Sequence, residues 1–86
     1  MFYRVYLLQN PDGTRYIGIS SDVARRLEDH NSGKSHWTKS RGPWELVWQS
    51  RPMSLSDARK LENLLKRQKG GDGLESLLTL WGESGS

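Results

Sequence analysis

The most constraining stretch of this 86-residue chain is Tyr16 to His30, which reads Tyr-Ile-Gly-Ile-Ser-Ser-Asp-Val-Ala-Arg-Arg-Leu-Glu-Asp-His. It runs a short strand into a helix. Ser21 or Asp22 caps that helix, because their side-chain oxygens accept from the unpaired amides of a first turn. Val23 and Leu27, four apart, mark its buried stripe. At about 100° per residue, Arg26 and His30 fall roughly 60° and 20° from Val23, beside the stripe, whereas Arg25 points about 160° away. The two adjacent arginines are therefore not equivalent. Arg25 reads as a solvated charge and Arg26 as a placed one.

The flanking segments give that stretch a sheet to lie against. Phe2 to Gln9 is β-rich, with Tyr3, Val5 and Leu7 on one face and Phe2, Arg4, Tyr6 and Leu8 on the other. Both faces are largely apolar, which predicts a central strand. Asn10-Pro11-Asp12-Gly13 is a turn, and Thr14 to Ile19 returns antiparallel. Pairing Leu8 with Thr14 sets Tyr6 opposite Tyr16 with both rings on one face; a one-residue slip separates them. A site shared by both tyrosines requires the first arrangement.

Beyond a helix end near Asn31, Gly33 is a left-handed cap and Lys34 to Arg41 a basic loop closed by Gly42-Pro43. Trp44 to Gln49 is a third strand, with Trp44, Leu46 and Trp48 expected on one face. Ser54 caps a long helix whose buried side is expected to be Leu55, Ala58, Leu61 and Leu65. Glu62 falls inside that stripe and Lys66 at its edge. Gly70-Gly71 ends the helix, and Asp72 with Glu75 resembles a capping box for a last helix docked by Leu74, Leu77, Leu78 and Trp81. The expected fold is α+β, a small antiparallel three-stranded sheet flanked by helices in the order β-β-α-β-α-α. It forms one domain over residues 1–81, with 82–86 as a flexible tail.

Composition narrows the partners. An apolar fraction of 34% and a mean hydropathy of −0.78 leave a modest core, helped by four tryptophans and three tyrosines. The absence of cysteine excludes disulfides and thiolate zinc sites. No apolar run approaches the roughly 20 residues that span a bilayer, and the start is no signal peptide. The expectation is a soluble cytoplasmic protein with no membrane partner. Net charge is only +3, but Lys34 to Lys69 holds nine bases against Glu45, Asp57 and Glu62, a local +6. That asymmetry suits an anionic partner such as a nucleic-acid backbone, and equally a solvated basic face.

The chemistry-bearing candidates are Tyr6, Tyr16, Arg26, His30 and Glu62. Singly, each has a structural reading. A strand tyrosine packs, a histidine near a helix end meets the last carbonyls, and an arginine pairs with a carboxylate, here Glu62 itself. Glu62 is the least easily explained, since a carboxylate inside an apolar stripe needs a partner or a metal. The chain has no Gly-rich phosphate loop, no His-Glu-x-x-His and no Ser-centred nucleophile elbow. One carboxylate completed by water suits magnesium.

Taken together, these residues resemble the GIY-YIG nuclease family over nearly the whole chain. The second triplet stands as Tyr16-Ile17-Gly18, and the first survives as Val5-Tyr6 with its leading glycine position differing. The family's helix arginine falls on Arg26, its frequent histidine on His30 and its metal-binding glutamate on Glu62. The asparagine that some larger members carry after the glutamate has no clear match, and no appended DNA-binding module is present. The length is similar to that of small stand-alone bacterial members, implying a bacterial, nucleoid-associated protein.

The resemblance implies a metal-dependent DNA endonuclease, with structure-selective cutting in repair or recombination on branched or single-stranded DNA. Glu62 would hold one Mg²⁺ or Mn²⁺, Arg26 would stabilise the non-bridging oxygens, and Tyr6, supported by Tyr16 or His30, would orient or deprotonate water; His30 is the alternative base. Gly18 would permit close approach to the site. Lys39, Arg41 and Lys66 are candidates for phosphate contacts, and Trp37 for stacking on an unpaired base. The alternative is a weakly active or inactive nucleic-acid-binding module on the same fold. A third reading is a small protein-interaction domain.

Overall fold

The computed structural model describes residues 1–34, 41–68 and 73–82. Two strands, β1 (Arg4–Gln9) and β2 (Arg15–Ser20), precede helix α1 (Val23–Asn31). Strand β3 (Glu45–Gln49) follows, then helices α2 (Leu55–Gln68) and α3 (Gly73–Trp81). The sheet order is β2-β1-β3, antiparallel throughout, so the doubly apolar strand is the central one. Its two faces feed two cores. Val5 and Leu7 join Ile17, Met53, Ala58, Leu61, Leu65 and Leu74 beneath α2 and α3. Tyr6 and Leu8 join Val23 and Trp44 beneath α1. A fully buried aliphatic side chain contributes roughly 1.5–3 kcal/mol, so burying both faces of β1 makes it the strand on which the layers depend.

Local chemistry sets the ends of these elements. In the hairpin turn, Asn10 Oδ1 accepts from Thr14 N at 2.8 Å and Gly13 adopts φ +85°. Asp22 caps α1 by accepting from Arg25 N at 3.1 Å. The far end of α1 closes as a Schellman turn: Gly33 has φ +86° and Lys34 N donates to Asp29 O at 3.0 Å. Ser54 Oγ accepts from Asp57 N at 3.1 Å at the start of α2. Asn31, the last residue of α1, grips the start of β3 from both sides. Its Oδ1 accepts from Trp44 N at 2.6 Å while its Nδ2 donates to Trp44 O at 3.0 Å.

Five expectations are corrected. Tyr6 pairs with Gly18 and Leu8 with Tyr16, a register two residues from the Leu8–Thr14 pairing. The even shift preserves faces, so Tyr6 and Tyr16 remain together, now diagonal rather than opposed. Trp44, Leu46 and Trp48 do not share a face. The register slips between Leu7 and Leu8, leaving Val47 as the extra residue of a bulge, so Leu46 joins the α1 core and Trp48 the α2–α3 core. Leu55 is not buried but 38% exposed. Trp81 is exposed too and lies under Arg51, whose guanidinium carbon is 5.6 Å from the ring centroid. Gly82, expected in the tail, bridges to Ser50. The Gly70-Gly71 stop, the Asp72 cap and residues 83–86 lie outside the described residues.

Replacing Asn31 by Ala removes both bonds to the Trp44 backbone. Urea unfolding should show a loss of about 1–3 kcal/mol; an unchanged midpoint would mean that α1 and β3 do not rely on this clamp.

Candidate functional site

Tyr6 projects from the central strand toward α1, and the residue opposite it is Gly18. The pairing is sterically specific. A Cβ at Gly18 would stand 2.5 Å from Tyr6 Oη and 2.6 Å from Cζ, so the phenol ring occupies the volume a side chain there would need. The hydroxyl lies 3.0 Å from His30 Nε2, and both residues are 1% exposed. Arg26, one turn before His30 on α1, shares the cleft with Tyr6 and pairs with Asp29 at 3.5 Å. Among the described residues, the carboxylate paired with Arg26 is thus that of Asp29 rather than Glu62. Tyr16 completes the cluster, its ring centroid 4.7 Å from that of His30 and 6.3 Å from that of Tyr6.

Burial governs the proton chemistry here. It pushes the Tyr6 phenol above its ordinary value, and the hydrogen bond from Arg26 opposes this without cancelling it. Burial likewise lowers His30, with the positive charge of Arg26 acting in the same direction and Asp29 opposing. Tyr6 therefore rests as the neutral phenol and His30 as the neutral imidazole at pH 7. In the tautomer that carries its proton on Nδ1, His30 accepts the phenolic proton at Nε2.

Across from this cluster, α2 presents Glu62, whose side chain is 20% exposed. With Leu55 turned outward, Glu62 stands at the edge of the buried stripe rather than within it. Tyr6, Tyr16, Gly18, Arg26 and Glu62 line one open cleft of about 580 Å³, with His30 behind it. A larger cleft of about 760 Å³ lies by β3 and α3 and contains none of the five candidates, so size alone does not locate the chemistry. The described residues hold no group of three His, Asp or Glu side chains suited to a metal. A single partly open carboxylate fits a hard cation that completes its shell with water, as Mg²⁺ does.

The remaining expected contacts separate. Lys66 Nζ sits 3.4 Å from Glu62 Oε2 and does not line the cleft. Arg41 is also absent from its walls; its carbonyl accepts from Asn10 Nδ2 at 2.9 Å. Trp37 and Lys39 lie outside the described residues. The cleft also contains Tyr3, Arg59 and Asn63, which sequence reasoning did not single out. Helical spacing carried the signal for two of them, since Arg59 and Asn63 neighbour Glu62 on one face of α2.

This fold, with its Tyr-Tyr-Arg-His cluster facing a helix glutamate, is that of a known class. The profile of the GIY-YIG catalytic domain matches residues 2–74, and the chain belongs to that family. It is similar to a UPF0213 protein of Streptococcus pneumoniae serotype 4, 42% identical over 66 residues, covering 76% of this chain and 67% of that one. A UPF0213 protein of Nitratidesulfovibrio vulgaris is 33% identical over 81 residues, covering 93% of this chain and 74% of its own length. The solution NMR structure of the UPF0213 protein BH0048 from Bacillus halodurans matches with TM-score 0.56 at 35% identity, covering 98% of this chain and 89% of that chain. These relatives are bacterial, and among the described residues no helix is long and apolar enough to cross a membrane.

Two measurements test the buried cluster. Gly18→Ala should destabilise the protein by about 1–3 kcal/mol, because the methyl must displace a ring that is itself held by His30; an unaltered thermal transition would show that the ring yields freely. The depressed His30 pKa also has a pH signature. Below the ordinary value of ~6.5 the unfolded chain takes up a proton that the native state refuses, so this stability is full above ~6.5 and is lost as pH falls through the lower native pKa. Urea unfolding from pH 7.5 to 5.5 should show a loss of up to about 1.4 kcal/mol per pH unit that His30→Gln lacks. Parallel pH curves would place the titration elsewhere.

Proposed function

We propose that the chain is a divalent-metal-dependent DNA endonuclease that hydrolyses phosphodiester bonds. The observation that carries this reading is the convergence of Tyr6, Arg26 and Glu62, from three elements distant in sequence, on one cleft. Family membership and the net +6 of Lys34 to Lys69 support a nucleic-acid substrate. The preference for branched or single-stranded DNA, and a place in repair or recombination, rest on the family resemblance.

Glu62 is the residue that would hold one Mg²⁺ or Mn²⁺; when bound, the ion neutralises charge on the scissile phosphate and the leaving 3′ oxygen. Arg26 faces the same space and donates charge-assisted hydrogen bonds to the non-bridging oxygens. Tyr6 and His30 act as a pair rather than as rival bases. As water attacks the phosphorus, the bond to the 3′ oxygen breaks and that oxygen takes a proton from solvent; the water's proton passes to Tyr6 Oη while the phenolic proton moves along the 3.0 Å hydrogen bond to His30 Nε2, leaving an imidazolium. This route requires no free phenolate, which the raised Tyr6 pKa disfavours. Tyr16 packs against His30 and keeps the ring in place.

One observation favours the alternative of a binding module with little cleavage: Glu62 is already paired with Lys66. The lysine side chain is 53% exposed, however, and exposed pairs of this kind are worth about 0–1 kcal/mol. Glu62 would therefore give up Lys66 at little cost to hold a divalent ion.

Nicking of supercoiled plasmid in Mg²⁺, Mn²⁺ or EDTA tests the proposal. The native chain should nick only with metal, Glu62→Ala should lose nicking while retaining DNA binding, and Tyr6→Phe should cut at least about 10²-fold more slowly. DNA binding that is indifferent to metal, with no nicking, would establish the binding module instead.

A further inference from the structure

Among the described residues, two cations line the cleft, Arg26 from α1 and Arg59 from α2. Arg26 pairs with Asp29 and is the cation assigned to the phosphate at Glu62. Lys66, the other cation beside Glu62, is held by that carboxylate and stands outside the cleft. Arg59 is exposed and, among the described residues, has neither a hydrogen-bonding nor an ion-pair partner. An exposed arginine is ordinarily just a solvated charge. Position distinguishes this one. Arg59 comes three residues before Glu62, so the two project from one face of α2 into the same space. Asn63, four residues after Arg59, adds an amide donor to that wall.

The wall has a definite order. Leu55, then Arg59, then Glu62 succeed one another at about one helical turn, ~5.4 Å, each. Leu55 is exposed although it continues the helix's apolar stripe, and Tyr3 lines the same cleft. An apolar end, a free guanidinium and a carboxylate beside Arg26 thus line up along one helix. That sequence of surfaces matches a nucleoside, a phosphate and a second phosphate of one strand.

We propose that Arg59 is a substrate-binding residue that takes a backbone phosphate adjacent to the one facing Arg26 and Glu62, with the nucleoside on its far side against Tyr3 and Leu55. This rests on reading the cleft as a nucleic-acid site, and it assigns the phosphate contact on α2 to Arg59 rather than Lys66. The guanidinium fork suits two non-bridging oxygens of one phosphate, a geometry that lysine lacks. Because Arg59 supports no other side chain, its replacement leaves the fold intact.

The test is fluorescence anisotropy with a fluorescein-labelled DNA duplex, in EDTA to prevent cutting, across a salt series. For the native chain, log affinity should fall linearly with log salt. Arg59→Gln should bind more weakly with a slope shallower by about 0.9, the value of one released counterion. Arg59→Lys should keep the native slope, and Arg25→Gln, which alters an exposed cation of α1 outside the cleft, should match the native protein. An Arg59→Gln slope equal to the native one overturns the assignment while leaving the endonuclease proposal standing. Salt-independent or absent binding by the native chain overturns the nucleic-acid reading, and the role of Arg59 with it. Unchanged thermal transitions of the variants confirm that the comparison is made between folded proteins.

Discussion

The hydrogen bond between the Tyr6 hydroxyl and His30 Nε2 joins the sheet to α1 at a point where both are deeply buried. Much of the surrounding structure is arranged around it. Gly18 vacates the volume that the phenol ring fills, and Tyr16 packs its ring against that of His30. A buried hydroxyl beside a buried imidazole would be costly if either were left unsatisfied, so each fixes the other's orientation. The cluster therefore constrains the fold and the proton chemistry through the same contacts.

Around this centre the chain uses a strand buried on both faces, with a different helix layer over each. That requirement explains features that look irregular in isolation. The bulge at Val47 lets one strand send Leu46 to the α1 core and Trp48 to the α2–α3 core. There the indole nitrogen of Trp48 donates to Leu78 O at 2.9 Å and ties down α3. The Asn31 clamp on Trp44 secures the other layer, on the helix that carries Arg26 and His30. The site is thus supported from elements that contribute no chemical group to it.

The charges sort by burial. Where water is excluded, Tyr6 and His30 are held neutral; where the cleft opens, Glu62 and Arg59 lie within reach of solvent. On the endonuclease proposal, a polyanionic strand laid in the opening would meet cations and a carboxylate suited to a metal, with proton acceptors beneath the surface. Low effective dielectric strengthens the short hydrogen bonds below, and solvent keeps the charged groups above adaptable.

Much of this was legible in the sequence because it depends on local rules. Period-two and period-3.6 patterns located three strands and three helices. Caps at Asp22 and Ser54 and the left-handed Gly33 marked their ends, and the spacing of Tyr6, Tyr16, Arg26, His30 and Glu62 displayed the family. The non-local facts escaped it. The hairpin register followed from where the Tyr6 ring meets Gly18, and the faces of β3 from a bulge that alternation does not encode. The exposure of Leu55 and the partners of Arg26 and Glu62 depended on which layers α1 and α2 cover. Sequence by itself determined which residues are available and on which element each sits, because helix and strand periods are properties of neighbouring residues. Only the tertiary structure decided which of them share a cleft and which are neutralised by burial, because those depend on distances between segments far apart in the chain.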